Sequence, residues 1–295
     1  MTQNPIFTGV ATALITPLTP EGVDYEAFGR VIDWQIEKGI NALVIAGTTG
    51  EGSTLSDEEH REVLRYAVER IDERVPCIAG TGSNDAAYAV DLSRYACEIG
   101  CDALLVVTPY YNKATQKGLI AYYNAVADAS TKPLILYNVP SRTGVGIEPS
   151  TYVELAKHPN IKAIKEANGN ISKIVETAAL VGDRLDIYSG NDDQVIPILS
   201  MGGSGVISVL SNVMPAETVA MCDAWFRGEI KEAAALQCRY NALISALFSE
   251  VNPIPVKAAM AKMGFCENYL RLPLTPMEPA HEEKLFALMA EQGVI

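Results

Sequence analysis

Residues 161–170 read IKAIKEANGN. The stretch would make a buried β-strand but for two lysines, Lys162 and Lys165. A charged side chain is costly in a core unless it is paired or has a task. Strand side chains alternate with period two. That parity puts Ile161, Ala163 and Lys165 on one face and Lys162, Ile164 and Glu166 on the other. Lys162, near the strand start, can reach solvent at the rim of a sheet. Lys165 lies near the C-terminal end. If its face is interior, the small Ala163 lies beneath it and Ile164 packs outward. A buried lysine–glutamate pair is disfavoured, because Glu166 faces the opposite way.

Seven further apolar runs resemble this one: GVATALITP (9–17), NALVIAGTTG (41–50), VPCIAGTG (75–82), CDALLVVTPYY (101–111), KPLILYNVP (132–140), LDIYSGND (185–192) and GVISVLSNV (205–213). Their spacing fits a strand–helix unit. Between them, LSDEEHREVLRYAVERI (55–71) pairs a Ser56 cap with Glu59 and carries Val63, Leu64, Ala67, Val68 and Ile71 on one stripe. NDAAYAVDLSRYACEIG (84–100) and NISKIVETAALVG (170–182) behave alike, each stopping at a glycine. Apolar strands alternating with helices imply a parallel sheet covered by helices. Eight is the number that closes a (β/α)₈ TIM barrel, an α/β fold. An open doubly wound sheet is the alternative, and the first strand lacks the G-x-G-x-x-G of its dinucleotide-binding form. After Val213 only helical patterns follow. The reading is a catalytic barrel over 1–225 and a small C-terminal helical domain over 226–295.

Composition narrows the function classes. The 295 residues carry 36 acidic and 23 basic side chains, a net charge of −13. That balance argues against nucleic acid and anionic membranes, which require a basic surface. No basic stretch followed by an apolar run opens the chain, so a secretory leader is not expected and a cytoplasmic location is. The uncharged stretch 194–216 is broken by Pro197, Pro215 and GGSG, and reads as barrel and loop, not as a membrane span. Six scattered cysteines (77, 97, 101, 222, 238 and 266) form no zinc set and read as reduced core residues.

In a barrel of this kind the chemistry sits at the C-terminal strand ends. The second strand ends in GTTGEGS, whose adjacent hydroxyls, Thr48 and Thr49, can hold a carboxylate or simply form a glycine-rich turn. The fourth ends in TPYYN, whose tyrosines equally suit an interface. The fifth ends in YNVPSRTG, where Arg142 suits a substrate carboxylate or is a surface arginine. Tyr137 shares parity with Ile135. A desolvated Lys165 at a barrel mouth suits Schiff-base catalysis. Tyr137 on the neighbouring strand could move the protons. The set describes an enzyme that condenses or cleaves a 2-oxo acid.

GTTGEGSTL, TPYYN, YNVPSRTG, IKAIKEANG and GGSGVISVLSN, in that order, resemble the class I pyruvate-dependent aldolase and lyase family, as does the tail NPIPVKAAMAKMG…LRLPLTP. The resemblance runs from about Phe7 to Pro276. The arginine of YNVPSRTG separates the chain from the sialic-acid lyases. The resemblance implies a homotetramer of two tight dimers that condenses pyruvate with L-aspartate 4-semialdehyde, without metal or organic cofactor. It implies Lys165 as the imine-forming residue and Tyr137 as proton shuttle, linked through Thr48 to Tyr111 of a neighbouring subunit. Thr49 joins Thr48 in holding the pyruvate carboxylate, Arg142 binds the semialdehyde carboxylate, and the backbones of Gly190 and Ile207 line the pocket. Feedback-inhibited members bind lysine at the dimer interface. His60, Asn84 and Tyr110 match that effector site, whereas Gly52, Ser53, Asp57 and Tyr88 depart from it. Tyr88 replaces a glutamate, so weak or absent lysine inhibition is expected. Two other readings remain at this point: an aldolase for 2-keto-3-deoxy sugar acids or sialic acid, and a silent member that binds a 2-oxo acid.

Overall fold

The computed structural model describes residues 5–295. Residues 1–4, where no leader is expected and the barrel unit is read to begin, lie outside the described residues. Eight parallel strands close on themselves: β1 (Gly9–Ala13), β2 (Ala42–Ile45), β3 (Cys77–Gly80), β4 (Ala103–Val107), β5 (Leu134–Asn138), β6 (Ile161–Glu166), β7 (Asp186–Ser189) and β8 (Gly205–Ser208). β1 pairs with both β2 and β8, which excludes the open doubly wound sheet. The helices that follow the strands are α1 (Tyr25–Glu37), α2 (Asp57–Ile71), α3 (Ala86–Glu98), α4 (Gln116–Asp128), α5 (Pro149–Leu155), α6 (Ile171–Val181), α7 (Val195–Leu199) and α8 (Pro215–Phe226). Three more complete the chain: α9 (Ile230–Leu247), α10 (Ile254–Lys262) and α11 (Pro279–Glu291). A short hairpin (Leu18–Thr19 with Gly22–Val23) precedes α1.

Local chemistry explains the helix ends. Ser56 accepts from the Glu59 amide while the Glu59 carboxylate accepts from the Ser56 amide, the capping box legible in the sequence. Such a cap is worth about 1 kcal/mol. α3 ends before Gly100, whose φ of 94° only glycine adopts cheaply. α6 also ends at a glycine, but Gly182 keeps a right-handed φ of −64°. α2 instead takes its left-handed cap from Asp72, at φ 47°.

The strands separate two apolar layers. Val10, Leu43, Leu104, Leu136 and Ile164 face the helices. Ala11, Val44, Leu105, Ile135, Tyr137, Ala163 and Ile207 fill the barrel. The ring of Phe7 stacks on that of Tyr188 at 4.1 Å, and the Tyr188 hydroxyl donates to the Phe7 carbonyl at 2.7 Å. This pair belongs to the barrel filling and leaves the opposite, C-terminal end for chemistry.

The parity read for β6 needs one correction. Leu134 pairs with Ile161, but its neighbour Ile135 pairs with Ala163. Lys162 is skipped, a local bulge that shifts the phase of the strand. Ile161 therefore packs with the helix-side layer, while Ala163 faces the interior. From Ala163 onward the alternation holds. Lys162 is exposed, as expected. Of the cysteines, Cys77, Cys101 and Cys222 are buried, but Cys238 on α9 is exposed, against the expectation of core positions. Among the described residues no helix is long and apolar enough to cross a membrane.

Candidate active site

Lys165 is only 5 % exposed, with its ammonium 4.3 Å from the centre of the Tyr137 ring. The two residues are direct register partners on β6 and β5. Burial pushes the Lys165 amine below the ordinary lysine value, Tyr137 and the Asp192 carboxylate oppose the shift, and the Arg142 charge assists it. The result favours neutral amine, the form that attacks a carbonyl. Glu166, one residue on, turns to the helix side. There its carboxylate accepts from Asn138 Nδ2 (3.0 Å), Tyr152 Oη (3.0 Å) and the Asn168 amide (2.9 Å). Burial raises its pKa to about 7.

A cavity of about 580 Å³ opens over this end of the barrel. Thr48, Tyr137, Val139 and Arg142 line it together with Asp57, His60, Tyr88 and Tyr110. Of the positions read from the sequence, Thr48, Tyr137 and Arg142 thus share one space with His60 and Tyr110, while Lys165 does not itself line it. Thr49 is buried behind the wall, at 2 % exposure. Its hydroxyl oxygen accepts from Asn252 Nδ2 at 3.0 Å, which leaves the hydroxyl proton free to be donated elsewhere. The Asn252 carbonyl accepts from Arg142 Nη2 at 3.1 Å. One residue ahead of α10 therefore touches both candidate carboxylate-holding side chains. Sequence reading missed Asn252, because its contacts lie 110 and 203 residues away; the NPIP run before α10 was its only signal.

Gly190 follows β7, and its amide donates to the Glu166 carbonyl at 2.7 Å. A β-carbon there would lie 3.2 Å from Lys165 Cγ, so only glycine lets the two strands meet beside the amine. Ile207 on β8 is buried in the interior layer. Tyr111 stands apart. It is 88 % exposed, sits at a left-handed φ of 74° and does not line its own chain's cavity.

At the effector positions, His60 is buried and Nε2 lies 2.9 Å from the Gly80 carbonyl, so that nitrogen carries the proton. Burial lowers its pKa and keeps the ring neutral. Tyr88 lines the cavity with Asp57, and burial and the Asp57 carboxylate raise the phenol to about 12, while Arg61 Nε holds that carboxylate at 2.9 Å. Asn84 does not line the cavity; its carbonyl accepts from Asn112 Nδ2 at 2.9 Å.

A closed parallel barrel with a desolvated lysine beside a tyrosine at its C-terminal mouth defines a class, the barrel enzymes equipped for Schiff-base chemistry. Comparison with known proteins narrows it. The model of the dihydrodipicolinate synthetase family matches residues 6–292, and the chain belongs to that family, whose members are lyases. It is 51% identical over 290 residues to a 4-hydroxy-tetrahydrodipicolinate synthase of Clostridium perfringens, covering 98% of this chain and 100% of that one. The crystal structure of dihydrodipicolinate synthase from Thermotoga maritima superposes with a TM-score of 0.96 at 40% identity, covering 99% of this chain and 100% of that one. The chloride-inhibited dihydrodipicolinate synthase from Acinetobacter baumannii, solved in complex with pyruvate, gives 0.95 at 40% identity, covering 98% and 99%.

Proposed function

We propose that the protein condenses pyruvate with L-aspartate 4-semialdehyde through an imine on Lys165, in diaminopimelate and lysine biosynthesis. This is the activity of the 4-hydroxy-tetrahydrodipicolinate synthases, which the chain matches over its whole length. The observation that carries the mechanism is the buried Lys165 amine 4.3 Å from the Tyr137 ring centre.

The neutral amine adds to the pyruvate carbonyl, and loss of water leaves a protonated imine. Its positive nitrogen withdraws electrons, so the former methyl group releases a proton and becomes an enamine. The enamine carbon attacks the aldehyde of the second substrate, whose oxygen takes a proton to become a hydroxyl. The amino group of that substrate then closes on the imine carbon and expels the Lys165 amine. A hydroxylated six-membered ring leaves. Tyr137 carries the protons, with Thr48 connecting it to Tyr111 of a second copy. The exposure of Tyr111 supports a position between chains, and a homotetramer is the assembly that fits. Thr48 and Thr49 hold the pyruvate carboxylate, Arg142 the carboxylate of the semialdehyde, and Gly190 and Ile207 shape the pocket. Lysine serves as the electron sink, so the reaction needs neither metal nor organic cofactor. A cytoplasmic location fits the substrates and the absence of a membrane-crossing helix among the described residues.

Borohydride reduction in the presence of pyruvate tests the imine. A mass increase confined to Lys165 is expected, and its absence would overturn the mechanism. A coupled assay with aspartate semialdehyde then separates the synthase from a sugar-acid aldolase, which would trap pyruvate equally well but leave the semialdehyde unconsumed.

A further inference from the structure

Lys257 is the one charge within the apolar run Ile254–Ala261, and it is completely buried. Its ammonium donates to the Glu51 carboxylate at 2.5 Å and to the Thr16 carbonyl at 2.7 Å. The other carboxylate oxygen of Glu51 accepts from the Arg271 amide at 3.2 Å. Both partners of the pair are desolvated, with side-chain exposures of 0% and 1%. A buried ion pair is poor evidence of stability, because desolvation offsets most of the attraction and an apolar pair of similar volume is often as stable. What the pair does fix is position. Glu51 lies two residues after Thr49, in a loop that turns through left-handed backbone at Ala46 (φ 54°) and again at Glu51 (φ 53°). Thr16 Oγ1 donates to the Gly50 carbonyl between them at 2.7 Å. The loop thus hangs from β2 and is tied at Glu51 to α10 and to the segment before α11.

The geometry points to Glu51 and Lys257 as positioning residues: they pin the Thr48–Thr49 loop so that its hydroxyls meet the pyruvate carboxylate, while Arg142 is held by Asn252, which also touches Thr49 but not the pair. This rests on the carboxylate role proposed above for Thr48 and Thr49. Arg142 is anchored by the Asn252 carbonyl and not by the pair, so the two substrates should respond differently when the pair is removed.

The double variant Glu51→Gln/Lys257→Met removes both charges and leaves neither one buried alone. The expected result is a thermal midpoint close to the parent's, with the pyruvate concentration that half-saturates borohydride trapping raised about tenfold, as for a carboxylate held by misplaced donors. The KM for the semialdehyde should stay within about twofold. Pyruvate saturation of the folded enzyme unchanged from the parent's, whatever the midpoint, marks a purely structural pair, and that outcome overturns the inference. If the double variant does not fold, Glu51→Asp keeps the charge but shortens the arm by about 1.5 Å. It should show the same selective rise for pyruvate, and parent-like saturation would again overturn the inference. Thr49→Val separates the two levels. If it leaves pyruvate saturation unchanged, the carboxylate role falls and the brace with it. If it raises the half-saturating concentration while the pair variants do not, only the brace falls.

Discussion

Gly190→Ala is the most discriminating change at the amine. The added methyl would lie 2.8 Å from Ala167 Cβ, 3.1 Å from the Glu166 carbonyl oxygen and 3.2 Å from Lys165 Cγ. Ordinary contact begins near 3.4 Å, so the closest neighbour must retreat by about 0.6 Å. Backbone at 190 cannot simply swing away, because its amide is tied to the Glu166 carbonyl at 2.7 Å. The displacement therefore falls on the Lys165–Ala167 segment and carries the amine with it. Overpacking of this size costs about 1–3 kcal/mol of stability. Misplacing a reacting atom by a sizeable fraction of an ångström costs up to about 10²-fold in rate. We expect the rate of borohydride-trapped imine formation, and kcat/KM for pyruvate, to fall between about tenfold and 10²-fold. The thermal midpoint should fall by only a few degrees. Single-turnover trapping on protein shown to be folded is the assay. A trapping rate within twofold of the parent would refute the packing reasoning.

Arg142→Ala should raise the KM for the semialdehyde by at least about tenfold, the loss of a charge-assisted pair, while that for pyruvate moves far less; steady-state kinetics with each substrate varied checks this. Millimolar L-lysine should leave most of the activity intact, since the Tyr88 phenol, raised to about 12 by burial and the Asp57 carboxylate, offers no negative charge to an ammonium group. Tyr88→Glu should increase sensitivity in an inhibition assay. The pair between Arg271 and Glu59 predicts a pH dependence, because the Arg271 guanidinium lowers the Glu59 carboxyl from 4.5 to about 2. Its contribution is fully present above pH 4.5 and is lost as pH falls through about 2. Denaturant titrations should therefore show the gap between the parent and Glu59→Gln narrowing over that window.

Much of this architecture follows from local pattern. The eight apolar runs each became a barrel strand, and the Ser56–Glu59 box formed as written. Tyr137 and Lys165 came together because adjacent parallel strands share a register. Local pattern failed where a distant partner decides. Period two could not anticipate the skipped Lys162, since a bulge is defined by the pairing strand. The inward burial of Thr49 depends on Asn252, and the value of Glu51 on Lys257, 206 residues away. Arg61 meets Asp91 only because α2 and α3 pack side by side.

The skipped residue in β6 works like a reading frame. Ile161 faces the helices, and strict alternation from it would turn Lys165 the same way and point Glu166 into the barrel. The extra Lys162 advances the phase by one, so the mouth receives an amine and the carboxylate is left on the helix side. Straightening the bulge, with Lys162 kept in the ladder, would be a structural frameshift, whereas deleting Lys162 would leave Ala163 and Lys165 facing inward. In the straightened strand every side chain would survive, yet the barrel would present an acid where the proposed imine needs a nucleophile. Looping out one exposed lysine, which has no partner among the described residues, thereby decides which charge the mouth shows.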